Sequence, residues 1–326
     1  MKIALTDRHG RQISYLRLSV TDRCNLRCVY CVPPEGRQLF AHDEILRYEE
    51  MLRIVNILAV RGIHKIRITG GEPLVRKDLP CLVREIKKIP GIREVCLTTN
   101  GVLLADMTDD LKQAGIDRIN ISLDSLKSEV FHSITGMDRL PSVLSGIDSA
   151  LKAGMSPVKI NAVPMTGINN EEIESLAELS FQKNIHVRFI EEMPVGIGYS
   201  EKLPPLSSAA IRERLESRWG SLIPVFPSSL DGPARRFQIP GAKGEVGFIS
   251  SMTRHFCGTC NRIRLTAVGE IRPCLLNDAT VDIKKPMRNG ADDSTVARLI
   301  ERVLMRKGLA HEQIPLVSTQ MVSIGG

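Results

Sequence analysis

The stretch YLRLSVTDRCNLRCVYC, residues 15–31, joins a strand-like run to three closely spaced cysteines. Successive side chains of a strand point to opposite sides. Leu16, Leu18 and Val20 therefore share one face of the run, and Arg17, Ser19 and Thr21 share the other. The same division recurs downstream. KIRITG (65–70) sets Ile66 and Ile68 against Lys65, Arg67 and Thr69, and RINISLD (118–124) sets Ile119, Ile121 and Leu123 against Asn120, Ser122 and Asp124. VKINAV (158–163) opposes Val158 and Ile160 to Lys159 and Asn161, and EVCLTT (94–99) and HVRFIE (186–191) complete six strand-like runs. Stretches of helical period separate them, at 49–62, 79–89, 105–115, 140–154 and 170–183. Strand and helix alternating in this way specify a parallel sheet with helices outside.

A parallel sheet packed on both sides is apolar on both faces. Here one face is polar and cationic in four of the runs. That pattern fits a sheet curled into a barrel around an anion-holding lumen better than a flat, doubly wound one. Past residue 222 the texture changes to Pro, Gly and Ser with short strand-like pieces, then a helix near 294–306. The expected division is a barrel over 1–222 and an extension over 223–326.

The cysteines follow the first strand directly as Cys24, Cys28 and Cys31, spaced C-x3-C-x2-C. Thiolates select soft metals and iron–sulfur clusters, and zinc sites usually offer paired C-x2-C units. A cubane held by three cysteines leaves one iron open to a ligand. Cys257, Cys260 and Cys274 make a second set of three, C-x2-C-x13-C, which reads as a second cluster or, with His255, as a Cys3His zinc site. Arg262 and Arg264 alternate just beyond it, either as solvated arginines or as a forked grip on phosphate. The remaining two of the eight cysteines, Cys81 and Cys96, are expected to be buried structural thiols.

Composition bounds the rest. A formal charge of +7 fits an anionic partner. Four tyrosines and one tryptophan offer little for stacking on nucleic-acid bases, so a small anion is the better reading. No segment reaches the ~18 apolar residues of a membrane span, and the start, MKIALTDRHGRQ, has no signal-peptide pattern. A cytoplasmic protein without a disulfide framework is expected.

C-x3-C-x2-C with an aromatic residue, Tyr30, before the last cysteine resembles the signature of the radical S-adenosylmethionine enzymes. ITGGEP (68–73) resembles the glycine-rich segment with which that superfamily holds the methionine amino group. The resemblance implies an incomplete (βα)6 TIM-type barrel, a [4Fe–4S] cluster and S-adenosylmethionine, cleaved reductively to start radical chemistry. Two three-cysteine sets in this order, NRIRL after the second, LTTNG, INISLDSL and a terminal Gly-Gly narrow the match to one branch. The chain resembles the members that cyclise GTP between ribose C3′ and guanine C8 in the first step of molybdenum cofactor biosynthesis. Val32, where methionine or leucine is more usual, and a divergent segment at 309–322 depart from the pattern.

That likeness implies roles position by position. Cys24, Cys28 and Cys31 would hold the first cluster, with Tyr30, Gly71, Ser122 and Met193 around S-adenosylmethionine. Cys257, Cys260 and Cys274 would hold a second [4Fe–4S] cluster whose open iron meets the guanine. Arg17, Lys65, Arg67, Thr98, Lys159, Arg262 and Arg264 would contact GTP. Gly325 and Gly326 would reach back into the barrel and support catalysis together with Arg17, Arg262 and Arg264. A flavodoxin- or ferredoxin-type reductant and the next pathway enzyme, cyclic pyranopterin monophosphate synthase, would be partners of a monomer or homodimer that binds neither membrane nor nucleic acid. Met193 is the awkward member, because it shares strand parity with the apolar Val187 and Phe189. The alternatives are a radical enzyme acting on RNA, and a non-enzymatic zinc or iron–sulfur module.

Overall fold

The computed structural model describes residues 4–32, 36, 39–194, 204–226, 232–309 and 321–325. The six expected runs form strands β1 (Tyr15–Ser19), β2 (Lys65–Thr69), β3 (Glu94–Thr99), β4 (Arg118–Ser122), β5 (Val158–Ala162) and β6 (Ile185–Ile190). They lie side by side in chain order and all parallel. The helices α1 (Tyr48–Val60), α2 (Leu79–Lys88), α3 (Leu104–Ala114), α4 (Ser128–Thr135), α5 (Leu140–Lys152) and α6 (Ile173–Gln182) connect them. In α1 the inward stripe is Met51, Ile54, Val55 and Leu58, and the helix starts where Glu50 accepts a bond from the Arg47 amide, 2.7 Å away. Helix α4 has no counterpart among the expected segments, because eight residues with one apolar turn carry little periodicity. Cys96 is buried on β3 as expected. Cys81 is not: it lies exposed on α2, whose buried stripe is Leu79, Leu82, Val83 and Ile86.

The C-terminal third completes the sheet at both edges. Helix α7 (Ser208–Trp219) and strands β7 (Ile223–Val225), β8 (Arg235–Gln238) and β9 (Glu245–Ile249) come first, and β9 pairs parallel to β6. Strand β10 (Arg262–Leu265) pairs parallel to β1, followed by β11 (Glu270–Arg272), β12 (Val281–Asp282), α8 (Lys284–Arg288), α9 (Asp293–Leu304) and α10 (Met321–Ile324). The sheet order is β12-β11-β10-β1-β2-β3-β4-β5-β6-β9-β8-β7. Eight adjacent strands, from β10 through β9, are thus parallel, while the outer hairpin strands are antiparallel.

Leu16, Leu18, Ile66, Ile68, Leu97, Ile121, Ile160 and Val187 fill the layer beneath the helices and are fully buried. The opposite face is buried too, although it carries Lys65, Arg67, Asn120, Lys159, Arg188 and Arg264. One cavity of about 300 Å³ is lined by side chains from all eight parallel strands. A flat sheet cannot bring eight strands to one cavity, so the sheet is curved. Its outer strands are not paired to each other, which makes the barrel incomplete.

Residues 250–261 run from β9 at one side of the barrel to β10 at the other and carry Cys257 and Cys260. The Glu191 carboxylate, at the end of β6, fixes the start of this crossing. It accepts bonds from the amides of Ser208, Met252 and Thr253 at 2.8, 2.9 and 2.9 Å, and from the Thr253 hydroxyl at 2.6 Å. Burial alone would raise its pKa, but these donors outweigh burial and hold it below the ordinary value. A depressed carboxyl contributes stability that is present above its unfolded pKa, about 4.3, and lost as pH falls through the folded value. Replacing Glu191 by Ala should cost about 1.5–3 kcal/mol at neutral pH. The cost should shrink when urea unfolding is repeated near pH 4; an equal midpoint for both proteins at pH 7 would refute the role of this carboxylate.

Candidate active site

The loop after β1 is held mainly by backbone. The Gly71 amide donates to Thr21 O at 2.7 Å and the Glu72 amide to Arg23 O at 2.7 Å. A Cβ on Gly71 would overlap the Arg23 carbonyl, so this position needs glycine for the approach of one loop to another. Further along, the amides of Arg27 and Val29 donate to Thr135 O and Ile134 O at the end of α4, at 2.8 and 2.9 Å. The Leu26 amide and the Asn100 side-chain amide approach Cys24 Sγ at 3.4 and 3.7 Å. Such donors favour sulfur as thiolate and orient it toward a cluster. Burial, then repulsion from Cys31, pushes the Cys28 thiol well above its ordinary value. Repulsion from Cys31 and Cys24 disfavours a free thiolate at Cys28, and the positive charge of an iron–sulfur cluster would relieve it, although among the described residues no three such side chains are gathered to hold a single metal ion.

Tyr30, Ser122 and Met193 line the cavity. The Tyr30 hydroxyl donates to Asp124 Oδ2 at 2.7 Å, and Asp124 Oδ1 accepts from the Val163 amide at 2.8 Å. Burial raises the Asp124 carboxyl to about 6. Strand parity does not apply to Met193: β6 ends at Ile190, and the chain beyond it turns the side chain inward. Gly71 is not among the lining residues, and its contact is the backbone of Arg23.

Arg17, Lys65, Arg67, Thr98, Lys159, Arg262 and Arg264 all line the cavity. Register explains their assembly, since Arg264, Arg17 and Arg67 stand at one level across β10, β1 and β2. Arg262 and Lys65 flank Tyr15 at the next level. Glu94 lies between Lys65, 2.5 Å away, and Arg118. Arg67 donates to Tyr15 Oη at 2.5 Å and to Leu97 O at 3.2 Å. Arg118, Arg188 and Lys307 also line the cavity, bringing its cations among the described residues to nine against three carboxylates, Asp124, Glu191 and Glu192. The first two could have been read from strand parity, because Arg118 shares a strand face with Asn120 and Arg188 with His186. Lys307 follows α9 and has no such signal. Among the described residues, Asn120 Oδ1 and Asn161 Oδ1 are buried and accept no hydrogen bond.

Cys257, Cys260 and Cys274 line the same cavity. Burial would raise the Cys260 thiol, but the charges of Arg262 and Lys307 lower it to about 6. Arg262 stacks 4.7 Å from the Phe256 ring, and Lys307 Nζ donates to Arg262 O at 2.9 Å and Pro273 O at 2.6 Å. His255 Nδ1 lies 2.9 Å from Ser251 O. The end of the chain enters here as well. Gly325 O accepts from Arg264 Nη1 at 2.5 Å. Its φ of +70° and a Cβ position 2.6 Å from Thr69 Oγ1 leave room only for glycine. Ile324 packs with Leu276 and Met193 beside it. Gly326 and most of the divergent segment, 310–320, lie outside the described residues.

Residues 18–180 match the Radical SAM superfamily, and residues 185–313 match Molybdenum Cofactor Synthesis C. The chain is 48% identical to the GTP 3′,8-cyclase of Thermodesulfovibrio yellowstonii over 325 residues, 99% of this chain and 100% of that one. It is 46% identical to the GTP 3′,8-cyclase of Heliobacterium modesticaldum over 311 residues, 95% of each. Among solved structures, Streptococcus suis SuiB bound to S-adenosylmethionine aligns with a TM-score of 0.63 at 16% identity, over 97% of this chain and 79% of that one, a likeness of fold. The chain belongs to the radical SAM superfamily and, within it, to the GTP 3′,8-cyclase family.

Proposed function

We propose that the lumen holds GTP between two [4Fe–4S] clusters, the first on Cys24, Cys28 and Cys31 and the second on Cys257, Cys260 and Cys274. Consistent with its family, the chain is a GTP 3′,8-cyclase that forms 3′,8-cyclo-7,8-dihydro-GTP at the start of molybdenum cofactor biosynthesis. The observation that carries the binding reading is the excess of nine cations over three carboxylates around one cavity with a cysteine set on its wall. An RNA-modifying enzyme is the less favoured reading. No helix among the described residues is long and apolar enough to cross a membrane.

When bound, the first cluster and S-adenosylmethionine supply one-electron reduction and hydrogen-atom abstraction, chemistry that protein side chains do not provide. The chain's own residues bind and orient. Arg17, Lys65, Arg67 and Lys159 face the triphosphate, with Thr98 as a neutral donor among them. Arg262 and Arg264, beside the second cysteine set, direct the guanine end toward it. Tyr30, Ser122 and Met193 shape the cofactor side of the cavity, and Gly71 holds the cysteine loop in place. Fixing both ends of the nucleotide limits the torsions between ribose and base, which favours closure within one molecule. Gly325 tethers Arg264 through its carbonyl, and Gly326, outside the described residues, is assigned to support catalysis with it. A flavodoxin- or ferredoxin-type protein would deliver the electrons to a monomer or homodimer, and cyclic pyranopterin monophosphate synthase would take the product.

Anaerobic incubation with S-adenosylmethionine, GTP and dithionite should yield 5′-deoxyadenosine and a cyclised nucleotide. Cofactor cleavage that RNA, but not GTP, promotes would favour the RNA reading instead. Deleting Gly325 and Gly326 should lower cyclisation at least tenfold, the effect expected when a bond to a charged arginine is lost, while iron content stays unchanged. Full turnover by the truncated chain would end the role given to the tail.

A further inference from the structure

Tyr15 carries no role in the reading above, yet it sits at the centre of the cationic wall. It opens β1 on the lumen face with 7% of its surface exposed. Its neighbours in register are Lys65 on β2 and Arg262 on β10. Lys65 Nζ lies 5.3 Å from the ring centroid, and the phenol oxygen accepts from Arg67 Nε at 2.5 Å. Arg17 stands two residues further along β1 on the same lumen face, in register with Arg67 on β2, and its charge acts on the phenol. Arg67 keeps two further contacts, to Leu97 O at 3.2 Å and Thr98 Oγ1 at 3.3 Å.

Two guanidinium groups this near each other repel, and burial strengthens the repulsion. A carboxylate between them would relieve it but would also compete with an incoming anion. A phenol relieves it without a full negative charge. Its oxygen has two lone pairs for the two arginines, and it keeps one O–H to donate. Burial raises the Tyr15 pKa, but the charges of Arg67 and Arg17 more than offset this.

We infer that Tyr15 is a positioning residue that holds Arg17 and Arg67 at the separation of a two-armed clamp for the polyphosphate of the substrate. This rests on the reading that the lumen binds a nucleoside triphosphate. The tyrosine sets the spacing before the anion arrives, so the arginines need not be ordered by the substrate itself. The benefit should appear in binding of the phosphate chain and not in binding of S-adenosylmethionine.

The test is Tyr15→Phe in the anaerobically reconstituted enzyme, titrated calorimetrically with GTP, inorganic tripolyphosphate and S-adenosylmethionine. Losing one hydrogen bond to a charged group should weaken GTP and tripolyphosphate by about tenfold or more. S-adenosylmethionine affinity should stay as in the wild type, and the KM for GTP should rise more than kcat falls. Arg67→Lys removes the Nε donor, so adding Tyr15→Phe to it should cost much less than Tyr15→Phe alone. Unchanged GTP affinity, additive effects in the double variant, or an equal loss of S-adenosylmethionine binding would each overturn the inference. Failure of the wild-type protein to bind either GTP or tripolyphosphate would instead overturn the polyphosphate reading on which it rests.

Discussion

Like charges buried together dominate the energetics of this protein. Desolvating a guanidinium or ammonium group costs several kcal/mol even after relaxation, and each further cation in the same space adds repulsion. The lumen concentrates nine such groups on the inner face of a curved sheet. Part of the cost is met within the chain. Glu94 serves Lys65 and Arg118, Tyr15 takes Arg67, and the Gly325 carbonyl takes Arg264. What those groups leave uncompensated is the affinity available to a polyanionic substrate. The pKa of Arg264 shows the balance: burial first, then Arg17 and Arg262, drive it well below its ordinary value.

The covalent order of the chain puts the second cysteine set on the wall of that cavity, and of the loop carrying the first set it brings Tyr30 to the cavity. The first set follows β1, which stands between β2 and β10, and the second lies on the crossing that leads into β10. The loop that carries the second set is therefore tied to the strand that carries the first. Asn261 O accepts from the amides of Ser14 and Tyr15, at 3.1 and 3.2 Å, just before β1 and β10 pair. Arg11, ion-paired with Asp7, reaches Cys257 O and Gly308 O from outside the barrel.

Much of this was legible in the sequence. The polar parity of Arg17, Lys65, Arg67 and Lys159 alone points to the lumen, because period-2 alternation survives in strands as short as five residues. The six core strands are found where alternation placed them, within about two residues at each end. Of strands β7 to β12 only β10 shows in the sequence, through the alternation of Arg262 and Arg264; the others have two to five residues with no clear period, and their pairing is set by distant partners. The return of β9 and β10 to the edges of the barrel sheet is likewise a long-range fact that no local pattern announces. Met193 looked misplaced only because parity was carried past the end of β6. Tyr15 was invisible as a functional residue because an aromatic residue opening a strand ordinarily serves the core.

The claim on which the whole site depends is that each of the two cysteine sets, Cys24, Cys28 and Cys31 in one and Cys257, Cys260 and Cys274 in the other, holds a cluster. Iron and sulfide analysis of the anaerobically reconstituted protein tests it most directly, alongside variants in which either set is changed to alanine. Two cubanes require about eight irons per chain, and about four in either triple variant. About four irons in the intact protein, or zinc retained until Cys257, Cys260 and Cys274 are replaced, would contradict it.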